Sequence, residues 1–277
     1  MAVDQHYENF PVASLLIPPA IRPHVVSIYR FARHADDIAD EGDAPAAVRT
    51  QQLSHLREQV LALFRGDNVT APTVLALTTL RDAGIEGIHA QPFLDLLSAF
   101  SQDVEVKSYK SFSELVHYCS RSANPVGRLM LALVGVRDTA SLAASDNICT
   151  ALQLINFWQD AAVDASRGRL YVPLEDFSRF KVSADNFPNH PQHRALIEFQ
   201  CRRAATLMHS GISLIAKLQG RFRVEIAFTI AGGLRILEKI AANDYDLRTR
   251  PTVRWYDAPK LLLLATRAWL NSKTRSP

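Results

Sequence analysis

Tyr29-Arg30-Phe31-Ala32-Arg33-His34-Ala35-Asp36-Asp37-Ile38-Ala39-Asp40-Glu41 sets Asp36 and Asp40 four residues apart within an apolar stretch. Residues four apart share one face of a helix, so the two carboxylates form a claw. Tyr29, Arg33, Asp36 and Asp40, spaced four, three and four, keep to that face. A second stretch, Gln153-Leu154-Ile155-Asn156-Phe157-Trp158-Gln159-Asp160-Ala161-Ala162-Val163-Asp164, repeats the device with Gln153, Asn156, Asp160 and Asp164 in register. A lone pair of aspartates is usually a solvated acidic face. Two pairs, each aligned with an amide or guanidinium and set among residues such as Ile28, Phe31, Ile155 and Trp158, point to two helices facing one cavity. Paired carboxylates suit a hard divalent cation, above all magnesium carrying a substrate diphosphate. Asp36, Asp40, Asp160 and Asp164 are therefore the candidate metal ligands, with Mg2+ the expected cofactor.

The rest of the composition agrees with a helical enzyme. The 277 residues are 48% hydrophobic, enough for a large core, and only 11 are glycine. The net charge of +3 is too small to imply nucleic-acid binding. Charge is uneven, however. From Leu247 to Pro277 basic residues outnumber acids by six, so the remainder is net −3. A basic end suits a diphosphate or an anionic membrane surface, or is simply a solvated basic helix. Three cysteines without metal spacing suit reduced thiols. The first residues lack the pattern of a signal peptide, and no apolar run approaches the roughly 20 residues of a membrane span. The expected location is the cytoplasm, with peripheral contact at the inner membrane.

Helix signals fill the chain. The periodicity predicts helices over 20–40, 46–64, near 72–83 and 91–102, over 139–165, and at about 190–219, 223–246 and 257–272. Ser111 and Glu114 are spaced as a capping box opening another helix, which runs through Tyr118 and Ser122 to Asn124-Pro125. Proline there predicts a kink, with Gly127 just beyond. Tyr118, Ser122, Val126 and Gly127 near one face of that kink could admit a flat isoprenoid chain, although kinks usually reflect packing. Arg167-Gly168-Arg169-Leu170-Tyr171-Val172-Pro173 stops the helix of the second acid pair. Arg167, Arg169 and Tyr171 sit where a flap could fold over an anion. No segment argues for a strand, a repeat or a linker, so the reading is one all-α domain over 1–277. Glycine-rich phosphate loops, a dinucleotide fingerprint, H-E-x-x-H and G-x-S-x-G are all absent.

Taken together, the Tyr29–Glu41 run, the Tyr118–Gly127 segment and the Gln153–Pro173 segment resemble the squalene and phytoene synthase family across nearly the whole chain. That resemblance implies a class I isoprenoid synthase fold, with helices around a central apolar cavity and magnesium held against prenyl diphosphates. His6-Tyr7-Glu8-Asn9-Phe10-Pro11 and Asn156-Phe157-Trp158-Gln159-Asp160 look like the hydroxysqualene synthases of bacterial hopanoid pathways. Most family members carry arginine directly before the first aspartate of the second motif. Here Gln159 stands there, which removes a cation and fits a substrate with a single diphosphate.

The resemblance thus implies conversion of presqualene diphosphate and water to hydroxysqualene and diphosphate. Tyr118 joins the four aspartates as a catalytic candidate. Tyr29 and Asn156 would orient diphosphate oxygens, and Arg33, Lys260 and the flap arginines would add charged hydrogen bonds. His6, Phe10, Gln153, Gln159 and Tyr245 complete the expected substrate site. Neighbouring pathway enzymes are conceivable partners. Competing readings are head-to-head prenyl condensation using the same claws, a class I terpene cyclase, which the Asp-x-x-x-Asp spacing and the Arg-Gly-Arg-x-Tyr flap fit poorly, and a non-enzymatic assembly factor, which would have no need of all four acids.

Overall fold

The computed structural model describes residues 16–189, 192–247 and 249–274, and the description below is confined to them. Thirteen α-helices follow one another: α1 Arg22–Asp40, α2 Ala46–Arg65, α3 Pro72–Leu75, α4 Thr78–Asp82, α5 Ala90–Glu105, α6 Phe112–Ser122, α7 Asn124–Leu133, α8 Thr139–Ser166, α9 Leu174–Phe180, α10 His193–Gly211, α11 Leu214–Lys217, α12 Gly220–Ala242 and α13 Ala258–Thr274. There is no strand among the described residues, only an isolated parallel bridge between Ser108 and Leu170. The all-α expectation holds. His6 and Phe10 lie outside the described residues.

The longest helix, α8, is the hub. Asp138 caps its first turn by accepting from the Ser141 amide at 3.0 Å. Its buried residues spread around much of the helix rather than along one stripe, among them Ser145, Ile148, Leu154, Phe157 and Trp158. That pattern marks a helix enclosed by others: α10, α7, α12 and α6 all pack against it. Two glycines permit the approach. A Cβ on Gly211 of α10 would stand 2.6 Å from the Ala144 carbonyl oxygen, and one on Gly127 of α7 would stand 2.5 Å from both Cys149 Sγ and Ser145 Oγ. On the other side, α5 packs against α1, α2, α6 and α7. The buried apolar residues form one cluster running from Ile17 to Ala268.

Several boundaries differ from the periodicity. The kinked helix around Pro125 is two helices, because Ala123 leaves helical geometry (φ −122°) and Pro125, lacking an N–H, starts α7 instead of continuing α6. Ser111 accepts from the Glu114 amide at 3.2 Å, but the Glu114 carboxylate reaches the Lys110 amide rather than that of Ser111, so only half of the capping box forms. The 72–83 segment splits into α3 and α4, and α9 follows Pro173 unannounced, with Glu175 and Asp176 in its first turn. The 190–219 helix breaks after Gly211, leaving α11 as a separate turn. Helix α5 runs past Gln102 to Glu105, which brings Asp103 inside it.

Candidate active site

The first acid pair lies at the carboxyl end of α1. Arg49 of α2 holds that end by donating to the Ala39 carbonyl at 2.6 Å, the Ala44 carbonyl at 2.8 Å and the Gly42 carbonyl. A cation capping exposed carbonyls is favourable at a helix C-terminus. Val25, Ile28, Phe31, Ala35 and Ala39 bury one stripe of α1, which leaves Tyr29, Arg33 and Asp36 half-buried beside it. Arg33 turns to acids of its own helix end: Asp36 at 3.2 Å, Asp37 at 2.6 Å and Glu41 at 2.8 Å.

The second pair ends α8, where Gln153, Asn156, Asp160 and Asp164 lie half-buried in a row. Burial, then the neighbouring Asp160 charge, push the Asp164 carboxyl up to about 7, against the pull of Arg169 and Arg167. Asp40 adds to that push, so the two claws feel each other. Between them lies the expected flap. Gly168, at φ +73°, turns the chain out of α8. Leu170 then donates to the Lys107 carbonyl at 2.8 Å, and Leu174 to the Tyr109 carbonyl at 2.9 Å. Arg169 reaches back to Asp40 at 2.6 Å, and this bond holds its guanidinium more firmly protonated than usual. Tyr171 stacks on Phe157, with ring centres 3.8 Å apart and planes 5° from parallel. One short loop thus joins the α1 claw to the α8 face. Arg167 is exposed.

Tyr118 stands behind this flap in an aromatic box with Tyr109 at 5.5 Å, Phe157 at 6.1 Å and Tyr171 at 6.4 Å. Its hydroxyl donates to the buried carboxylate of Asp103 at 2.6 Å. Burial lifts Asp103 to about 7, the Tyr118 hydrogen bond opposes the rise, and the Asp40 charge adds to it. Sequence reasoning passed over Asp103. The signal was there: an acid in the last turn of an apolar helix is unfavourable against the macrodipole and needs a reason.

Arg250 was missed as well. It comes from the loop after α12 and clamps Asp160 with two nitrogens, Nη2 to Oδ2 at 3.0 Å and Nε to Oδ1. Gln159 explains its placement. Gln159 is 3% exposed, and its amide nitrogen donates to the carbonyl of Pro251, the next residue along that loop. Its amide oxygen is buried without a hydrogen-bond partner. Gln159 itself brings no cation to the second claw; its amide anchors the loop from which Arg250 reaches Asp160.

Other expected site residues are placed apart. Lys260, on the first turn of α13, pairs with Glu238 of α12 at 3.2 Å rather than with the acid claws. Tyr245 has its phenol held up chiefly by burial, then by Glu198, and its neighbours Glu198, Cys201 and Arg202 belong to α10. Gly127 presents its bare Cα to α8, where Cys149 and Ser145 fill the space. Val126 is half-buried, and the Ser122 hydroxyl is buried without a hydrogen-bond partner.

The donor set fits a hard divalent cation. It consists of carboxylate oxygens in two pairs, and the repulsion recorded in Asp164 is what a cation would relieve. Among the described residues no three His, Cys, Asp or Glu side chains gather closely enough to hold one ion. Asp36, Asp40 and Asp160 are instead engaged separately by Arg33, Arg169 and Arg250.

The family model for squalene/phytoene synthase matches residues 3–257, and the chain belongs to that family. It is 33% identical to a hydroxysqualene synthase of Rhodopseudomonas palustris over 86% of this chain and 80% of that one. It is 30% identical to a 15-cis-phytoene synthase of Synechocystis over 97% and 82%. Among solved structures, the squalene synthase HpnC from Alicyclobacillus acidocaldarius superimposes with a TM-score of 0.79 at 34% identity, covering 87% of this chain and 90% of that one. A dehydrosqualene synthase with bound ligand shares the fold, with a TM-score of 0.80 at 23% identity over 94% and 89% of the two chains.

Proposed function

We propose that this chain is a hydroxysqualene synthase, converting presqualene diphosphate and water to hydroxysqualene, inorganic diphosphate and a proton. The observation that carries this reading is the second claw. Its preceding residue is the neutral, buried Gln159, and among the described residues the cation paired with Asp160 is Arg250 alone. Six negative charges on two diphosphates call for more fixed cations than one diphosphate does. Similarity to hydroxysqualene synthases supports the same choice. Similarity to 15-cis-phytoene synthases keeps head-to-head prenyl condensation as the second reading, and it would use the same acids.

Asp36, Asp40, Asp160 and Asp164 would hold Mg2+, which neutralises the diphosphate and improves it as a leaving group. Arg169 and Arg250, already aimed at the acids, would exchange carboxylate for phosphate oxygens with charge-assisted hydrogen bonds. Tyr29, Arg33 and Asn156 line the same half-buried faces and would orient those oxygens. The C–O bond to diphosphate breaks, and the cyclopropylcarbinyl cation opens to an allylic cation. The aromatic rings grouped beside the flap would stabilise positive charge and help keep water away. Water then forms the new C–O bond. Tyr118 relays the released proton to Asp103, whose carboxyl near 7 suits a proton acceptor. No hydride donor takes part.

The test is turnover of presqualene diphosphate in 18O-labelled water without NADPH. Hydroxysqualene carrying the heavy oxygen is expected. Unlabelled squalene, or no product while farnesyl diphosphate is consumed, would overturn the reading.

A further inference from the structure

Six of the ten large apolar side chains exposed among the described residues lie at one end of the chain. Trp255 is 88% exposed, Leu270 60%, Leu262 59% and Trp269 47%, with Tyr256 and Leu263 beside them. They do not belong to a loose tail. The short turn Trp255–Asp257 is fixed by the buried Asp257, which accepts from Lys239 at 2.5 Å, the Arg254 amide at 2.7 Å and Arg235 at 2.9 Å. Helix α13 already satisfies the core with another face: Leu264, Ala265, Ala268 and Ser272 are buried, and the helix packs on α12 and α11. Leu262, Thr266, Trp269, Leu270 and Lys273 follow at helical spacing on the opposite face. A contiguous apolar face turned to water marks a docking site.

Charge decides the occupant. Residues 258–274 contain no Asp or Glu, but they contain Arg267 and Lys273, with Arg254 just before; Lys260 is paired with Glu238 of α12. Lys273 sits over the Trp269 ring at 5.7 Å. Tryptophan and leucine between long basic side chains is the chemistry of a helix lying in a lipid interface, where rings and leucines enter the acyl boundary and the amines reach the headgroups. The core of a protein interface is depleted in lysine, whereas here Lys273 stands within the apolar face, over Trp269.

We infer that the outer face of the Trp255 turn and α13 is a docking surface for an anionic bilayer, with the helix, about 25 Å long, lying flat. Lipid nature of the substrate rests on the proposed function; the surface itself does not. The basic end that suits an anionic surface thus carries an apolar face as well, and apolar insertion supplies part of the binding.

The test uses the full chain without substrate, so its outcome is independent of the reaction. Co-sedimentation is measured with vesicles of mixed phosphatidylglycerol and phosphatidylcholine and with pure phosphatidylcholine. Binding to the anionic vesicles is expected, with tryptophan emission shifted to the blue, since Trp158 is already buried and the exposed Trp255 and Trp269 must report it. Trp269→Ser with Leu270→Ser should weaken binding about tenfold or more while helix content is unchanged. High salt should reduce binding without abolishing it. Unchanged binding in that variant would overturn the inference. So would a vesicle-independent dimer that the same substitutions dissociate, which would assign the face to a second copy of the chain.

Discussion

The two acid claws share a spacing and differ in how their charge is balanced. Asp36 and Asp40 finish α1, and an arginine of the same helix, Arg33, already binds Asp36 and Asp37. Asp160 and Asp164 finish α8, where no helix-mate serves. The arginine of Asp160, Arg250, arrives from a loop 90 residues away, anchored through Gln159. The α8 claw is also the more burdened, since burial and Asp160 lift Asp164 to about 7. The comparison teaches that a motif read as one repeated device contains two: a claw whose Asp36 is paired within its own helix while Asp40 is met by Arg169 of the flap, and a claw whose Asp160 is met only from a distant loop.

The largest effect is expected where both claws are needed. Asp36→Asn and Asp160→Asn should each lower turnover on the order of 10²-fold or more, about 2.7 kcal/mol of transition-state stabilisation, with circular dichroism unchanged. Full activity in both would remove the reading of the pairs as diphosphate claws. The asymmetry itself is tested next. Gln159→Ala should lower kcat/KM about tenfold by releasing the Arg250 loop. Arg250→Gln should lower it by at least as much, and the double variant should lose no more than Arg250→Gln alone, because the two act in one chain of contacts. Additive losses would show that Gln159 acts on its own.

Helix packing around the second claw sets a smaller expectation. Gly127→Ala would put a methyl 2.5 Å from Ser145 Oγ and Cys149 Sγ of α8. A loss of about 1–3 kcal/mol in denaturant midpoint experiments is expected, as for other overpacked cores. No loss would mean that α7 stands off from α8.

A further effect is a slope. Asp103 titrates near 7 when folded, against an ordinary value of 3.8. Below about 4 both states hold the proton. Between about 4 and 7 the unfolded chain has released it and the folded one has not, so stability falls as pH rises, by on the order of 1 kcal/mol per unit from this group. Asp164 slopes the same way. Asp103→Asn should flatten the decline, as measured by urea unfolding at several pH values. An unchanged slope would show that Asp103 is ionised in the folded protein.

The contrast also explains what could be read in advance. The claws, the flap and the helical fold were legible because helical periodicity is local, and Tyr29 through Asp40 declare their shared face by spacing alone. Arg250 was not, since nothing within its own segment points to Asp160. Asp103 was hidden by a boundary: with the helix thought to end at Gln102, an acid just beyond looked like ordinary solvated chain. Lys260 and Tyr245 erred the other way, their residue types fitting the chemistry while the packing of α13 on α12, and of the turn after α12 against α10, assigned them other neighbours.

Substrate choice tests the central claim most directly. Purified protein with Mg2+ would be given presqualene diphosphate and farnesyl diphosphate in separate reactions without NADPH, and kcat/KM compared by product mass. The expected result is rapid formation of hydroxysqualene from presqualene diphosphate and little consumption of farnesyl diphosphate. Efficient condensation of farnesyl diphosphate, with presqualene diphosphate accumulating, would contradict it.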